Sequence, residues 1–304
     1  MALELSQYQK DIIKFYKENP SANMQVNALA GSGKSFILKQ LSDLSTKSDI
    51  YMAFNNTVAK EMETKITNPK VKIKTFHALA YSYMMYNMEN SGDRNGIGKQ
   101  RNTNNKPVLD NLKPYKILEK FFENRKWEDF DEKFWLTENY VKLYNLVRLT
   151  RCQVNGLSIG KLIRDHNLFA DYEFGFAPPS PDQAADMIIK LDKASLNEFE
   201  LHNTIDFTDM LYITFLKIND KEWSVPPWGF FTNVLLDEVQ DFSVLQLCFL
   251  KFIKRKGGRY VFVGDKNQSA YLFCGASAHS YNMIHKMFAP ITTFDLPICY
   301  RCPT

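Results

Sequence analysis

Short β-rich apolar runs recur along the chain at residues 24–30, 49–54, 72–76, 234–236, 260–263 and 291–296. Most are followed by apolar positions at helical spacing, the alternation that builds a parallel α/β sheet. Between residues 81 and 201 the strand signal lapses, and helical periodicity takes over at 111–122, 134–149 and 184–196. The last of these helices has a marked start: Ser180, Pro181 and Gln183 supply an N-cap, a first-turn proline and the far half of a capping box. The pattern predicts an α/β domain interrupted by a helical insertion, without internal repeats. Residues 91–107 are rich in Asn and Gly and basic through Arg94, Lys99, Arg101 and Lys106. They read as a solvated loop or as a loop facing nucleic acid.

Composition narrows the class. At 304 residues, 45% apolar and 24% charged, the chain suits one large or two small soluble domains. No apolar run approaches the roughly 20 residues of a membrane span. The opening MALELSQYQKDIIKF carries charges where a signal peptide has its apolar stretch, so the expected location is the cytoplasm, with no membrane partner. Five irregularly spaced cysteines fit a reducing compartment. Cys299 and Cys302 lack the second ligand pair that a zinc site needs. A net charge of +4 permits a nucleic-acid partner without establishing one.

Candidate chemistry begins where the first strand runs into Gly31-Ser32-Gly33-Lys34-Ser35 and a helical pattern follows. Glycines here let backbone N–H groups converge on phosphate at a helix N-terminus. Lys34 neutralises the β- and γ-phosphates, and the Ser35 hydroxyl can ligate magnesium. The general phosphate-loop pattern has glycine where Ala28 stands. A second strand ends in Asp237-Glu238-Val239-Gln240-Asp241, at the end where α/β sheets bind ligands. Asp237 can hold magnesium, while Glu238 is placed to polarise an attacking water. A third cluster, 263–273, again follows a strand. Gln268 could sense the γ-phosphate there, and Tyr271 and Phe273 are either core rings or platforms for bases.

Together these segments resemble the UvrD, Rep and PcrA family of superfamily 1 helicases, in order as well as content. Ala28 to Ser35 matches the family's Ala-x-Ala-Gly-Ser-Gly-Lys-Ser/Thr signature, so Ala30, Gly31, Ser32, Gly33, Lys34 and Ser35 are expected around the phosphates. Leu5-Ser6-Gln7-Tyr8-Gln9 resembles the segment whose glutamine reads adenine, which assigns that role to Gln9. Phe54-Asn55-Asn56-Thr57 and Thr75-Phe76-His77-Ala78 resemble the two motifs that contact single-stranded DNA. They implicate Phe54, Asn56, Thr75 and His77, although a neutral core imidazole is the competing reading of His77. Asp206-Phe207-Thr208-Asp209-Met210 resembles a further motif, and 237–241 the Asp-Glu-x-Gln-Asp box. The match of 264–276 favours base stacking for Tyr271 and Phe273. Tyr300 and Arg301 resemble the pair that stacks on adenine and reaches the γ-phosphate.

The resemblance implies a RecA-like P-loop NTPase sheet in two parts, 1–81 and 201–304, with a helical insertion at 82–200 in the place of the family's 1B subdomain. It implies ATP and Mg2+ as cofactors, single-stranded DNA or a single/double-strand junction as partner, and 3′ to 5′ travel. Cys274 stands where the family has arginine, and Phe36 where arginine commonly follows the phosphate loop. The chain stops at Thr304, just after Arg301. The expectation is therefore that the second RecA-like domain comes from a longer form or a partner protein, and that the isolated chain hydrolyses ATP weakly. The alternative class is a nucleotide-switched module that grips single strands without turnover. A small-molecule P-loop kinase would leave Tyr271, Phe273 and His77 unexplained.

Overall fold

The apolar runs assemble edge to edge. In the computed structural model, which describes residues 5–90, 106–127, 130–170, 175–265, 268 and 280–300, the chain divides into two compact units, Met1–Leu79 with Val225–Thr304, and Ala80–Ser224. The first unit begins with α1 (Gln7–Glu18), β1 (Asn23–Ala28), α2 (Lys34–Asp43), β2 (Asp49–Ala53), α3 (Asn56–Lys65) and β3 (Val71–Thr75). Helix α4 (Phe76–Asn90) runs across the boundary between the units.

The second unit continues with β4 (Val108–Leu109), α5 (Lys113–Phe121), α6 (Phe130–Thr150), α7 (Gly156–Asp165), α8 (Pro181–His202), β5 (Thr204–Ile205) and α9 (Phe207–Asn219). The chain then returns to the first unit with β6 (Phe231–Leu236), α10 (Val244–Ile253), β7 (Lys254–Gly264), α11 (Ser280–Phe288) and β8 (Ile291–Leu296). No helix among the described residues is long and apolar enough to cross a membrane.

Six strands form one parallel sheet in the order β3-β2-β6-β7-β1-β8. A parallel sheet covered by helices on both faces is apolar along its whole strands, which is why these runs read as continuous rather than alternating. Val26, Val261 and Val263 pack with Ile12 of α1 and Ile37, Leu38 and Leu41 of α2 in one core. Because all six strands point the same way, every strand-to-helix loop of interest emerges at one edge. The chain thus forms the expected α/β architecture, a parallel sheet interrupted by a helical segment.

The second unit is largely helical, as the periodicity predicts, with α5, α6, α7 and α8 sharing one apolar core. Ser180 caps α8 in the expected capping box with Gln183. Two features depart from the sequence reading. Val108 and Leu109 pair with Thr204 and Ile205 as a short parallel ribbon, too brief to leave a periodic signal. Residues 201–224, expected with the sheet, belong to the helical unit. The cause is electrostatic as well as apolar: Asp209 of α9 accepts from Lys113 Nζ at 2.7 Å and from Arg148 Nη1 at 2.5 Å, all three buried. Arg148 is also sandwiched between the rings of Tyr144 and Tyr212, at 4.0 and 4.4 Å.

Candidate functional site

The loop after β1 turns on two left-handed glycines, Gly31 at φ 72° and Gly33 at φ 88°. Gly33 caps α2 through its backbone, and a Cβ there would also stand 3.4 Å from Gln9 Nε2. Glycine is therefore required by the left-handed conformation, since a Cβ at that distance from Gln9 would make only an ordinary contact. The loop places Lys34 and Ser35 in the first turn of α2. Ser32 is fully buried within it, and its hydroxyl has no hydrogen-bond partner among the described residues.

Strand β6 ends opposite this loop. Lys34 Nζ donates to Glu238 Oε2 at 2.6 Å, joining residues that the sequence separates by 204 positions. Glu238 sits at φ 51°, a left-handed conformation that costs a non-glycine residue on the order of 1–2 kcal/mol. Its neighbour Asp237 is almost wholly buried. Burial, with the Glu238 charge beside it, pushes the Asp237 carboxyl up to about 6, even though Tyr51 donates its hydroxyl proton to Oδ2 at 2.6 Å.

Gln240 ties this pair to the next strand. Its Nε2 donates to Glu238 Oε2 at 2.9 Å, and its Oε1 accepts from the Asp265 N–H at 3.0 Å. A Cβ on Gly264 would lie 2.4 Å from Gln240 Oε1 and 2.9 Å from the Tyr281 hydroxyl. That hydroxyl is buried without a hydrogen-bond partner among the described residues, and burial raises the phenol far above its ordinary range. Tyr51, Gln240 and Tyr281 were not singled out from the sequence. Only the Asp-Glu-x-Gln-Asp spacing hinted at Gln240, and an isolated tyrosine gives no signal.

The residues expected on the base side gather at the same edge. Gln9 is buried, and its side chain closes the capping box of α1 with Ser6. The Tyr300 N–H donates to Gly31 O at 2.9 Å, which ties the backbone of this half-exposed residue to the loop after β1. A cleft of about 320 Å³ lies alongside, lined by Tyr8, Asn27, Leu29, Asp265 and Asp295 among others. Gln268 is exposed, with its N–H donating to Asp265 O at 3.1 Å.

The opposite half of the edge carries the other expected set. Ala53 of β2 pairs with Thr75 of β3, so the segments that follow, Phe54 to Asn56 and Phe76 to His77, emerge side by side. Asn55 caps α3 by accepting from the Val58 N–H at 2.9 Å, leaving Asn56 exposed in the first turn. Thr75 is buried, and its Oγ1 accepts from the Ala78 N–H at 3.2 Å. Its hydroxyl therefore serves the start of α4 as well as anything it binds. Burial pushes the His77 imidazole down to about 4. Tyr271, Phe273, Cys274, Arg301, Cys302 and residues 91–105 lie outside the described residues.

Residues 5–289 match the UvrD/REP helicase N-terminal domain. Among curated proteins the chain is similar to the ATP-dependent DNA helicase Rep of Buchnera aphidicola subsp. Baizongia pistaciae, at 23% identity over 97% of the chain and 41% of that protein. It is similar at 23% identity to the ATP-dependent DNA helicase srs2 of Schizosaccharomyces pombe, over 93% of the chain and 32% of that protein. The F-box DNA helicase protein 1 of the same yeast is 26% identical over 87% of the chain and 28% of its own length. The chain thus spans less than half the length of each of these relatives.

Proposed function

The chain belongs to the UvrD/REP helicase N-terminal domain family, and from that premise we propose that it is the nucleotide-hydrolysing, strand-gripping part of a superfamily 1 DNA motor. The observation that carries this reading is the 2.6 Å contact between Lys34 and Glu238. It brings a phosphate-loop lysine and a strand-end carboxylate together, with a buried aspartate at the next position.

The donor set suits magnesium. Mg2+ is commonly held by one carboxylate and a hydroxyl together with substrate phosphates, so a cage of three or more acidic or imidazole groups is not needed. Asp237 and Ser35 offer these hard oxygen donors, and the Ser32 hydroxyl, without a partner among the described residues, is a further polar group in the loop for a phosphate oxygen. When bound, the ion neutralises charge on the β- and γ-phosphates.

This chain's own residues do the rest. Backbone N–H groups of Ala30 to Gly33 cradle phosphate, and Lys34 exchanges Glu238 for the γ-phosphate when ATP enters. The released Glu238, still held by Gln240, orients a water and takes its proton. Gln9 and Tyr300 hold the base, and Gln268 and Arg301 reach toward the γ-phosphate. Phe54, Asn56, Thr75, His77, Tyr271 and Phe273 grip single-stranded DNA, with 3′ to 5′ travel.

Fluorescent-nucleotide titration beside an ATPase assay tests the division of roles. Lys34→Ala is expected to lose nucleotide affinity, while Glu238→Gln keeps affinity and loses turnover. Equal loss of binding in both variants would refute the assignment. Strand displacement on duplexes tailed at the 3′ or the 5′ end reads the polarity.

A further inference from the structure

The N-terminal edge of the same sheet carries a different chemistry. Backbone bonds lace its strand starts together: the Asp49 N–H donates to Lys70 O at 3.0 Å, and the Thr232 N–H to Ser48 O at 2.7 Å. Phe231 of β6 pairs with Lys254 of β7. Lys47, Lys70 and the basic run Lys254-Arg255-Lys256 are thereby set along one rim. Lys47, Lys70, Arg255 and Lys256 are exposed, and none of them forms an ion pair among the described residues. Asp49, at the same rim, is buried and accepts from the backbone N–H and side-chain amide of Asn233 at 2.9 and 2.7 Å. Its charge is turned inward.

The basic tip is a built feature. Between the pairs Phe231 with Lys254 and Asn233 with Arg259, β7 has more residues than β6 opposes, so residues 255–258 bulge out of the ladder. Gly257 takes φ 77°, and a Cβ on Gly258 would stand 2.2 Å from Thr232 O. Lys254 Nζ closes the base of the bulge on Gly258 O at 3.0 Å, and Arg255 and Lys256 are carried outward. Beside them Lys72 Nζ lies 5.2 Å from the centre of the Trp228 ring, which is 41% exposed.

We propose that this rim is a second nucleic-acid contact, gripping a phosphodiester backbone through Lys47, Lys70, Arg255 and Lys256 at the edge opposite the nucleotide site. From β3 to β7 is three strand spacings, about 14 Å, close to the roughly 12 Å width of a duplex major groove. Cations on strand ends are held at this spacing by the backbone ladder, and displacement of counterions from phosphates by such a row drives sequence-independent binding. A protein partner would instead call for desolvated apolar anchors, and the one exposed ring named here has a cation, Lys72, beside it. The contrast with the helical unit is instructive. Its cavity of about 700 Å³ is also rich in cations, but Lys116, Lys120 and Lys133 there are paired with Asp110, Glu198 and Glu119. The inference takes only the kind of polymer from the proposed DNA-acting function.

The test uses the full chain and its Arg255→Glu/Lys256→Glu variant, with fluorescein-labelled DNA duplex, single-stranded DNA and polyglutamate as probes across a salt series. The variant is expected to bind DNA roughly tenfold or more weakly, with a salt slope reduced by about two. The conservative Arg255→Lys/Lys256→Arg variant should restore both. Nucleotide affinity and ATP hydrolysis without DNA should be unchanged. Duplex and single-strand arms show which form of backbone is held, and loss in either supports the proposal. Unchanged DNA affinity and slope overturn it, as does a loss confined to polyglutamate, which would mark an acidic-protein surface. Absence of strand-stimulated hydrolysis in the unaltered chain would instead count against the motor function and leave the binding result standing.

Discussion

His77 illustrates how burial decides what a side chain can offer. Its imidazole, pushed down to about 4, is neutral at physiological pH, so it can offer a ligand hydrogen bonds or stacking but not charge. The unfolded chain has an ordinary histidine near 6.5. A depressed folded value means the neutral form stabilises the fold fully above about 6.5, and that contribution drains away as pH falls toward 4. The size is on the order of 2–3 kcal/mol. Urea denaturation at neutral pH and again at about pH 4.5 should therefore show His77→Gln losing less stability on acidification than the unaltered chain. Parallel losses would mean that other groups carry the acid sensitivity. NMR should find the His77 ring proton shift flat down to about pH 5.

At the scale of elements, the C-terminal end of β7 is locked to the end of β6 by Gln240. Gly264→Ala would insert a methyl 2.4 Å from Gln240 Oε1 and 2.9 Å from the Tyr281 hydroxyl. The expected cost is about 1–3 kcal/mol of overpacking. With Gln240 displaced, Glu238 loses the amide that orients it, so kcat should fall about ten- to a hundredfold while nucleotide affinity holds. Adding Gln240→Ala should recover stability without recovering turnover. Recovery of both would show that Gln240 only fills space. The loop after β1 depends likewise on a single residue, since Gly33 must supply a left-handed turn at φ 88°.

The molecule as a whole divides its electrostatics between its two units. In the helical unit Asp209 accepts from two buried cations, Lys113 and Arg148. Asp209→Ala leaves both without that carboxylate, a change expected to cost about 3–5 kcal/mol. Calorimetry should find an earlier transition for the helical unit. Nucleotide affinity measured well below that transition should be unchanged, because Lys34, Glu238 and Gln9 all lie in the sheet unit. A matching fall in nucleotide affinity would contradict the independence of the two.

The sequence alone located the six strands of the main sheet, the helices α5, α6 and α8, the capped start at Ser180, the glycine-rich loop after β1 and the strand-end carboxylates. These are local signals, carried by periodicity, cap residues and glycines within a few positions of each other. Even the β7 bulge escaped it, because the residues there are polar and show no apolar period. Sheet order was decided only by tertiary structure. By placing β7 between β6 and β1, and β2 on the other side of β6, it set Lys34 on Glu238, Gln240 on Asp265 and, across 186 positions of chain, Tyr51 on Asp237. The ribbon of β4 and β5, the transfer of residues 201–224 to the helical unit and the basic rim belong to the same class. Each depends on which distant segments become neighbours, and that choice rests on burial and pairing summed over the whole sheet, which no local window contains.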